Sequence, residues 1–116
     1  MKETEDFKKA HSKIKDYVEK EMPNDDTMLS LANLYSIFSD PMRLRILIAL
    51  SKNSLSVGDL TEVLSTSQSN ISHHLAILRD NDLVSFTKSG KRVIYYLKDA
   101  HVHLIIQMGL EHILED

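Results

Sequence analysis

Residues 99–116 include four side chains whose types and spacing suit metal binding: Asp99, His101, His112 and Glu115. On a helix that rises about 1.5 Å per residue, His101 and His112 lie roughly 16 Å apart, too far for one ion to bridge. A rotation of about 100° per residue returns both histidines to nearly the same face. The four residues are placed symmetrically about residue 107. The pattern therefore predicts two antiparallel copies of this helix that share two sites, each with Asp99 and His101 of one chain and His112 and Glu115 of the other.

Two imidazoles and two carboxylates suit four-coordinate zinc, and cobalt is a close mimic. We therefore predict two zinc ions per homodimer, for which cobalt or cadmium can substitute. Asp99 and His101 would point about 200° apart in the middle of a helix, so Asp99 is expected to be the capping residue at its start. The alternative interpretation is an amphipathic C-terminal helix whose polar ends are only solvated.

Composition limits the other possibilities. The chain of 116 residues, with formal net charge -3 and no cysteine, has no disulfide or thiolate metal site. We expect one domain, 1–116, in a soluble cytoplasmic protein with no membrane span and no small-molecule substrate. Residues 67–98 carry five cations against two anions, whereas residues 99–116 carry four anions and no Lys or Arg. This division suits a DNA-facing segment followed by a cation-binding one.

Helical spacing of apolar residues predicts the elements that position these side chains. We expect an N-terminal helix over about 4–21, a second over about 27–38 and a buried helix that begins at Pro41. Ser56 and Asp59 resemble a capping box that opens a short helix through Leu64.

A further helix over about 67–79 carries its apolar residues on one side and small polar residues on the other. Two short helices joined by a tight polar turn are typical of a helix-turn-helix, whose second helix enters the major groove of DNA. The β-rich runs 84–87 and 93–97, joined by 88–92, predict a basic hairpin that follows as a wing. The fold class is therefore mainly α with a small β-hairpin, a dimeric winged helix-turn-helix.

Outward side chains of the second helix and cations of the hairpin are the candidate DNA contacts. Glutamine can pair with adenine, serine hydroxyls reach bases or phosphates, and lysine and arginine bind phosphates. His74 is expected to be a hydrogen-bonded packing residue, because it falls near the buried face. The DNA-binding candidates are Ser67, Gln68, Ser69, Asn70, Ser72, His73, Lys88, Lys91 and Arg92.

Four stretches of this chain resemble the ArsR/SmtB family of regulators: SDPMRLRIL at 39–47, SVGDL at 56–60, SQSNISHHLAILR at 67–79 and IYYLKDAH at 94–101. The resemblance covers about residues 30–116. It implies a dimeric winged-helix repressor that binds double-stranded operator DNA without metal and releases it when metal binds. Asp99, His101, His112 and Glu115 are similar to the zinc site on the final helix of zinc-sensing members.

The chain departs from the thiolate-using members of the family. Ser56 and Gly58 stand where arsenic, cadmium and lead sensors carry cysteine. Asp59 matches a ligand position of members that have a second zinc site, but its cysteine partner is replaced by Ser56, so that role is not carried over. We do not expect an enzyme, since the chain is taken up by helices, a wing and a dimer interface.

Two alternatives to a zinc sensor remain open. His103 could raise the ligand number toward octahedral geometry, which would favour nickel or cobalt. The chain could also be a winged-helix regulator without a metal response, whose final helix, about 99–115, serves only for dimerisation.

Overall fold

The computed structural model describes residues 2–115, with side chains from residue 4 onward. The chain divides into two compact units, 1–33 and 34–116. The expectation of a single domain stays a prediction. In the first unit, α1 (Lys2–Glu21) is exposed along its described length, and α2 (Asp25–Phe38) begins there and ends in the second unit. Both helices were predicted from the sequence.

The core of the second unit is built around α3 (Pro41–Lys52). Asp40 caps this helix, because its carboxylate accepts a hydrogen bond from the Arg43 backbone N–H at 2.9 Å. Proline at the first helical position costs nothing, since that N–H has no partner within a helix. Ile46, Leu47 and Leu50 are buried, as the nearly continuous apolar composition of this helix predicts.

Two short helices follow with the caps that the sequence predicts. In α4 (Val57–Leu64), the Ser56 hydroxyl accepts a hydrogen bond from the Asp59 N–H at 3.1 Å, and the Asp59 carboxylate accepts one from the Ser56 N–H at 3.0 Å. This reciprocal pair is a capping box. In α5 (Gln68–Asp80), Ser67 is the capping residue.

A three-stranded antiparallel sheet with strand order β1-β3-β2 carries the hairpin. The strands are β1 (Leu55–Ser56), β2 (Val84–Ser89) and β3 (Arg92–Leu97). The two-residue strand β1 was not predicted, because so short a segment has no recognisable periodicity.

The predicted five-residue connection between the hairpin strands is wrong. Pairing of Lys88 with Val93 and of Ser89 with Arg92 extends both strands, which leaves Gly90 and Lys91 as the turn. Gly90 has φ of +64°. A two-residue hairpin turn favours residues that adopt positive φ, which glycine does at little cost.

The last helix, α6 (Ala100–Leu114), lies between Asp99 as N-terminal cap and Glu115 as C-terminal cap. Asp99 has extended backbone, and its carboxylate accepts a hydrogen bond from the His101 N–H at 2.9 Å. The prediction that Asp99 lies just outside the helix is confirmed. None of the helices in the described part of the chain combines the length and apolar character that a membrane span needs.

Candidate nucleic-acid interface and metal ligands

Helix α5 buries its apolar residues on one side and exposes polar residues on the other, as a recognition helix requires. Ile71, Leu75 and Leu78 are buried against the core. All the predicted DNA contacts of this region are exposed except Asn70, which is half-buried; the exposed ones are Ser67, Gln68, Ser69, Ser72 and His73.

Some of these side chains already have partners within the chain. The Ser67 hydroxyl accepts the Asn70 N–H at 3.1 Å, and the Asn70 amide donates to the Thr66 hydroxyl at 3.0 Å. Ser67 and Asn70 therefore hold the turn and the start of the helix. The side chains of Gln68, Ser72 and His73 have no hydrogen bond in the described part of the chain, so their polar atoms are available to base edges or phosphates.

His74 differs from its prediction. Its side chain is only 12% exposed, yet its Nδ1 atom lies 4.0 Å from the Asp40 carboxylate and has no hydrogen-bond partner among the described residues. The expected hydrogen bond is absent, because this distance exceeds hydrogen-bonding range. Burial lowers the pKa of His74 below its ordinary value, Asp40 opposes that shift, and Arg43 and His73 add to it. The His74 side chain therefore lies beside the cap of α3 without a hydrogen bond from its Nδ1 atom to Asp40.

The wing is held beside the recognition helix by aromatic contacts at its base. The Arg79 guanidinium at the end of α5 lies 5.6 Å from the centre of the Phe86 ring, and Phe86 packs against Tyr95 across the hairpin with ring centres 5.5 Å apart. Cation–π contacts of this kind stabilise by about 0.5–1 kcal/mol when exposed. The base of the hairpin therefore has a defined position relative to the helix.

The three cations of the wing have different surroundings. Lys88 and Lys91 are exposed near the tip. Arg92 reaches back to α4, where its Nη2 atom lies 3.3 Å from both the Ser56 hydroxyl and the Asp59 carboxylate. Hydrogen bonds from Ser56, the backbone N–H first, and the charge of Arg92 lower the pKa of Asp59. Sequence reasoning missed this contact, because the partners are 33 and 36 residues apart.

The four predicted metal ligands form two pairs at opposite ends of α6. Asp99 Oδ1 lies 3.4 Å from His101 Nδ1, and Glu115 Oε1 lies 3.6 Å from His112 Nδ1. The histidines are 87% and 83% exposed. Within residues 2–115, no group of three or more ligand-type side chains comes together. Each end of α6 therefore bears one carboxylate beside one imidazole, and the two pairs remain separate within the chain.

Between the two pairs, the same face of α6 is apolar and uncovered. Leu104 and Met108 lie three and seven residues after His101 and therefore continue its stripe, and Met108 is 64% exposed. Among the described residues, α6 carries five of the seven exposed large apolar side chains of the second unit. A cavity of about 290 Å³ opens along its other side, lined by Tyr35, Phe38, Leu44, Ile48, Ile105, Ile106, Gly109, Leu110 and Ile113.

Known proteins resemble this chain in sequence and in fold. The model of the arsR family of bacterial regulatory proteins matches residues 40–85. The transcriptional repressor SmtB homolog of Synechocystis is 36% identical over 98 residues, which cover 84% of this chain and 74% of that protein. The chain belongs to the ArsR family.

Other relatives agree with this assignment. The cadmium resistance transcriptional regulatory protein CadC homolog of Staphylococcus aureus is 31% identical over 85 residues, which cover 72% of this chain and 70% of that protein. The structure of reduced HlyU from Vibrio cholerae, a protein described as a transcriptional activator, superposes with a TM-score of 0.70 at 34% identity, covering 79% of this chain and 96% of HlyU.

The family assignment confirms the winged helix-turn-helix and the prediction of a DNA-binding transcriptional regulator that is not an enzyme. The segment of this ArsR-family protein that matches the family model runs from the cap of α3 into β2. It contains the recognition helix and ends before α6. The assignment of α6 as a metal-binding helix therefore depends on its own residues.

Proposed function

We propose that this protein is a zinc-responsive transcriptional repressor. Two chains form a homodimer through α6, the dimer without metal binds double-stranded operator DNA in the cytoplasm, and zinc binding at two inter-subunit sites releases it. Asp99 and His101 of one chain and His112 and Glu115 of the other hold each ion.

The observation that carries this proposal is the arrangement of α6. Each end bears one carboxylate beside one imidazole, and Leu104 and Met108 lie exposed between the ends on the same face. Pairing of two such helices in antiparallel orientation buries the apolar stripe and brings each half-set beside its complement. Neither half-set alone satisfies four-coordinate zinc.

The donor set fits a borderline divalent cation. When bound, zinc would supply a cross-link between the two final helices. The histidines must be neutral and the carboxylates ionised to ligate, so we expect binding to weaken in acid. The His101 backbone N–H donates a hydrogen bond to the Asp99 carboxylate at the start of α6. This bond keeps the carboxylate beside the His101 imidazole in the absence of metal.

For DNA binding, the exposed side chains of α5 would contact base edges in the major groove, and Lys88 and Lys91 would contact phosphates near the wing. Ser67 and Asn70 act chiefly by holding the start of α5. Two recognition helices about 34 Å apart would match successive major-groove half-sites.

Nickel or cobalt is the second candidate for the effector. His103 is exposed on α6, but it follows His101 by two residues and therefore points about 200° away from it. Because this orientation does not favour a shared ion, we place zinc first. Cobalt-substituted protein distinguishes the two, since tetrahedral sites absorb intensely and octahedral sites weakly.

The decisive experiment measures affinity for DNA from the protein's own promoter region, at one fixed salt concentration, with zinc and with a chelator. We expect zinc to weaken binding by about 100-fold, which corresponds to a coupling free energy of nearly 3 kcal/mol. Equal affinity in the two conditions would contradict the proposal and leave a metal-independent regulator.

Asp99→Asn and His101→Ala are the matched variants for this experiment. Asparagine caps a helix about as well as aspartate, so Asp99→Asn keeps α6 intact while it removes an anionic ligand. In both variants, DNA affinity with the chelator should equal that of the wild type, and the effect of zinc should be lost. A variant that still responds fully to zinc would exclude that residue as a ligand.

A further inference from the structure

Arg92 connects the wing to the helix that precedes the recognition helix. Its Nη2 atom lies 3.3 Å from the Ser56 hydroxyl and 3.3 Å from Asp59 Oδ2. These two acceptors are the members of the capping box of α4. The arginine therefore joins the sheet to the helix-turn-helix through side chains alone.

The position of Arg92 along the hairpin gives this contact its importance. Strand β1 pairs with β3 only at Tyr95 and Ile94. Beyond Ile94, the paired strands β2 and β3 continue toward the tip without β1 beside them, as far as the Ser89 and Arg92 pair. The contact from Arg92 therefore begins where backbone support from β1 ends.

We propose that Arg92 is a positioning residue, which holds the projecting part of the wing against α4 through Asp59 and Ser56 and so sets where the wing meets operator DNA. This inference deepens the proposed function by naming what orients the wing. It replaces the simpler expectation that Arg92 acts chiefly as a phosphate contact.

The two roles of Arg92 predict opposite effects of a change at its partner. If Arg92 acts mainly on phosphate, loss of the Asp59 charge removes an anion near DNA and frees the guanidinium, so binding becomes tighter. If Arg92 positions the wing, loss of the same charge releases the wing and binding becomes weaker.

The first test compares Asp59→Asn with Glu62→Gln, each of which removes one negative charge from α4. With chelator present, we expect Asp59→Asn to weaken DNA binding by about twofold to fivefold, the range typical of an exposed ion pair. Glu62, which is exposed on the same helix, serves as the charge control, and its variant should bind no more weakly than the wild type. Equal or tighter binding by Asp59→Asn would overturn the proposal.

The second test uses Arg92→Gln, which leaves the capping box unchanged and so does not depend on the folding of Asp59→Asn. We expect weaker binding, with the same change in the salt dependence of affinity as in Asp59→Asn, because both variants release the same wing. Loss of a direct phosphate contact would instead lower the slope of log affinity against log salt by about 0.9 in Arg92→Gln alone. That decrease would overturn the proposal.

Combining Asp59→Asn with Arg92→Gln completes a double-mutant cycle. A shared role predicts that the double variant binds about as weakly as either single variant, whereas full additivity would contradict it. All these measurements are made without metal. They therefore remain interpretable if zinc proves to have no effect on DNA binding, which would contradict the proposed function alone.

Discussion

Helices α5 and α6 are similar in length but differ in how completely the chain covers them. Helix α5 buries Ile71, Leu75 and Leu78 and exposes small or polar side chains. Helix α6 buries Val102 and Ile106 but leaves Leu104 and Met108 uncovered on its opposite face. The apolar face of the recognition helix is therefore covered within one chain, whereas the proposed metal-binding helix leaves an apolar face exposed, which the proposed dimer would cover.

The histidines of the two helices show the same contrast. The side chain of His74 on α5 is only 12% exposed, while His101 and His112 on α6 extend into solvent. The half-buried His74 packs within the chain, whereas the exposed His101 and His112 are accessible to a new ligand. All three residues are histidines, so the difference in their roles comes from the surroundings of each side chain.

Removal of core packing from α5 should have the largest effect on the isolated chain. Leu78 is fully buried, so Leu78→Ala should lower the free energy of unfolding by about 3 kcal/mol, within the range of 2–5 kcal/mol for buried leucine. Urea denaturation measures this loss. Leu104→Ala on α6, compared at the same low protein concentration, should cost less than about 1 kcal/mol, and equal losses would contradict the contrast between the helices.

A charge introduced on the uncovered face of α6 should weaken dimer formation without unfolding the single chain. Met108→Glu would bury an unpaired carboxylate in the proposed interface, and we expect the dimer dissociation constant to rise by about 100-fold. Sedimentation equilibrium measures this constant, and circular dichroism should show unchanged helix content. Lys52→Gln on α3, which makes the net charge more negative by the same amount, is the charge control. A Met108→Glu variant that dimerises as well as the wild type would exclude this face as the interface.

The smallest expected effect is the loss of folding stability that His74 causes when the pH is lowered. Its pKa is lowered, so the folded protein binds a proton less readily than the unfolded chain. The stability from neutral His74 is present above the ordinary histidine pKa of about 6.5 and is lost as pH falls through the lower value in the folded state. Between pH 7 and pH 5.5, this loss should stay below about 1.4 kcal/mol.

Urea denaturation of wild type and His74→Gln, with chelator present, isolates that loss. The wild type should lose more stability on acidification than the variant does. An identical pH dependence in the two proteins would show that His74 does not bind its proton differently on folding.

Local patterns made most of the fold predictable from sequence. The Ser56 and Asp59 capping box, the Asp99 cap and the alternation of buried and exposed residues on α5 each depend on residues within a few positions of one another. The placement of two carboxylate and imidazole pairs at opposite ends of α6 followed from helical geometry in the same way, and the structure has both pairs.

Features that join distant segments were not predictable. Strand β1 exists because residues 55 and 56 pair with Tyr95 and Ile94, and nothing in their own sequence indicates it. Arg92 appears from sequence as one of three exposed wing cations, and its contact with Asp59 emerges only when sheet and helix come together. His74 was placed correctly near the core, but its separation from Asp40 depends on how α3 and α5 pack.

Gly90 at the tip of the wing is a position where evolution can introduce a side chain without disturbing the fold. A Cβ atom built there meets nothing within 4 Å, and the residue is restricted only by its φ of +64°. Asparagine or aspartate, which tolerate this backbone region better than other residues with side chains, could replace it without any repacking. Single substitutions at the tip would therefore alter the proposed contacts of the wing with DNA, while the core that supports the wing stays unchanged.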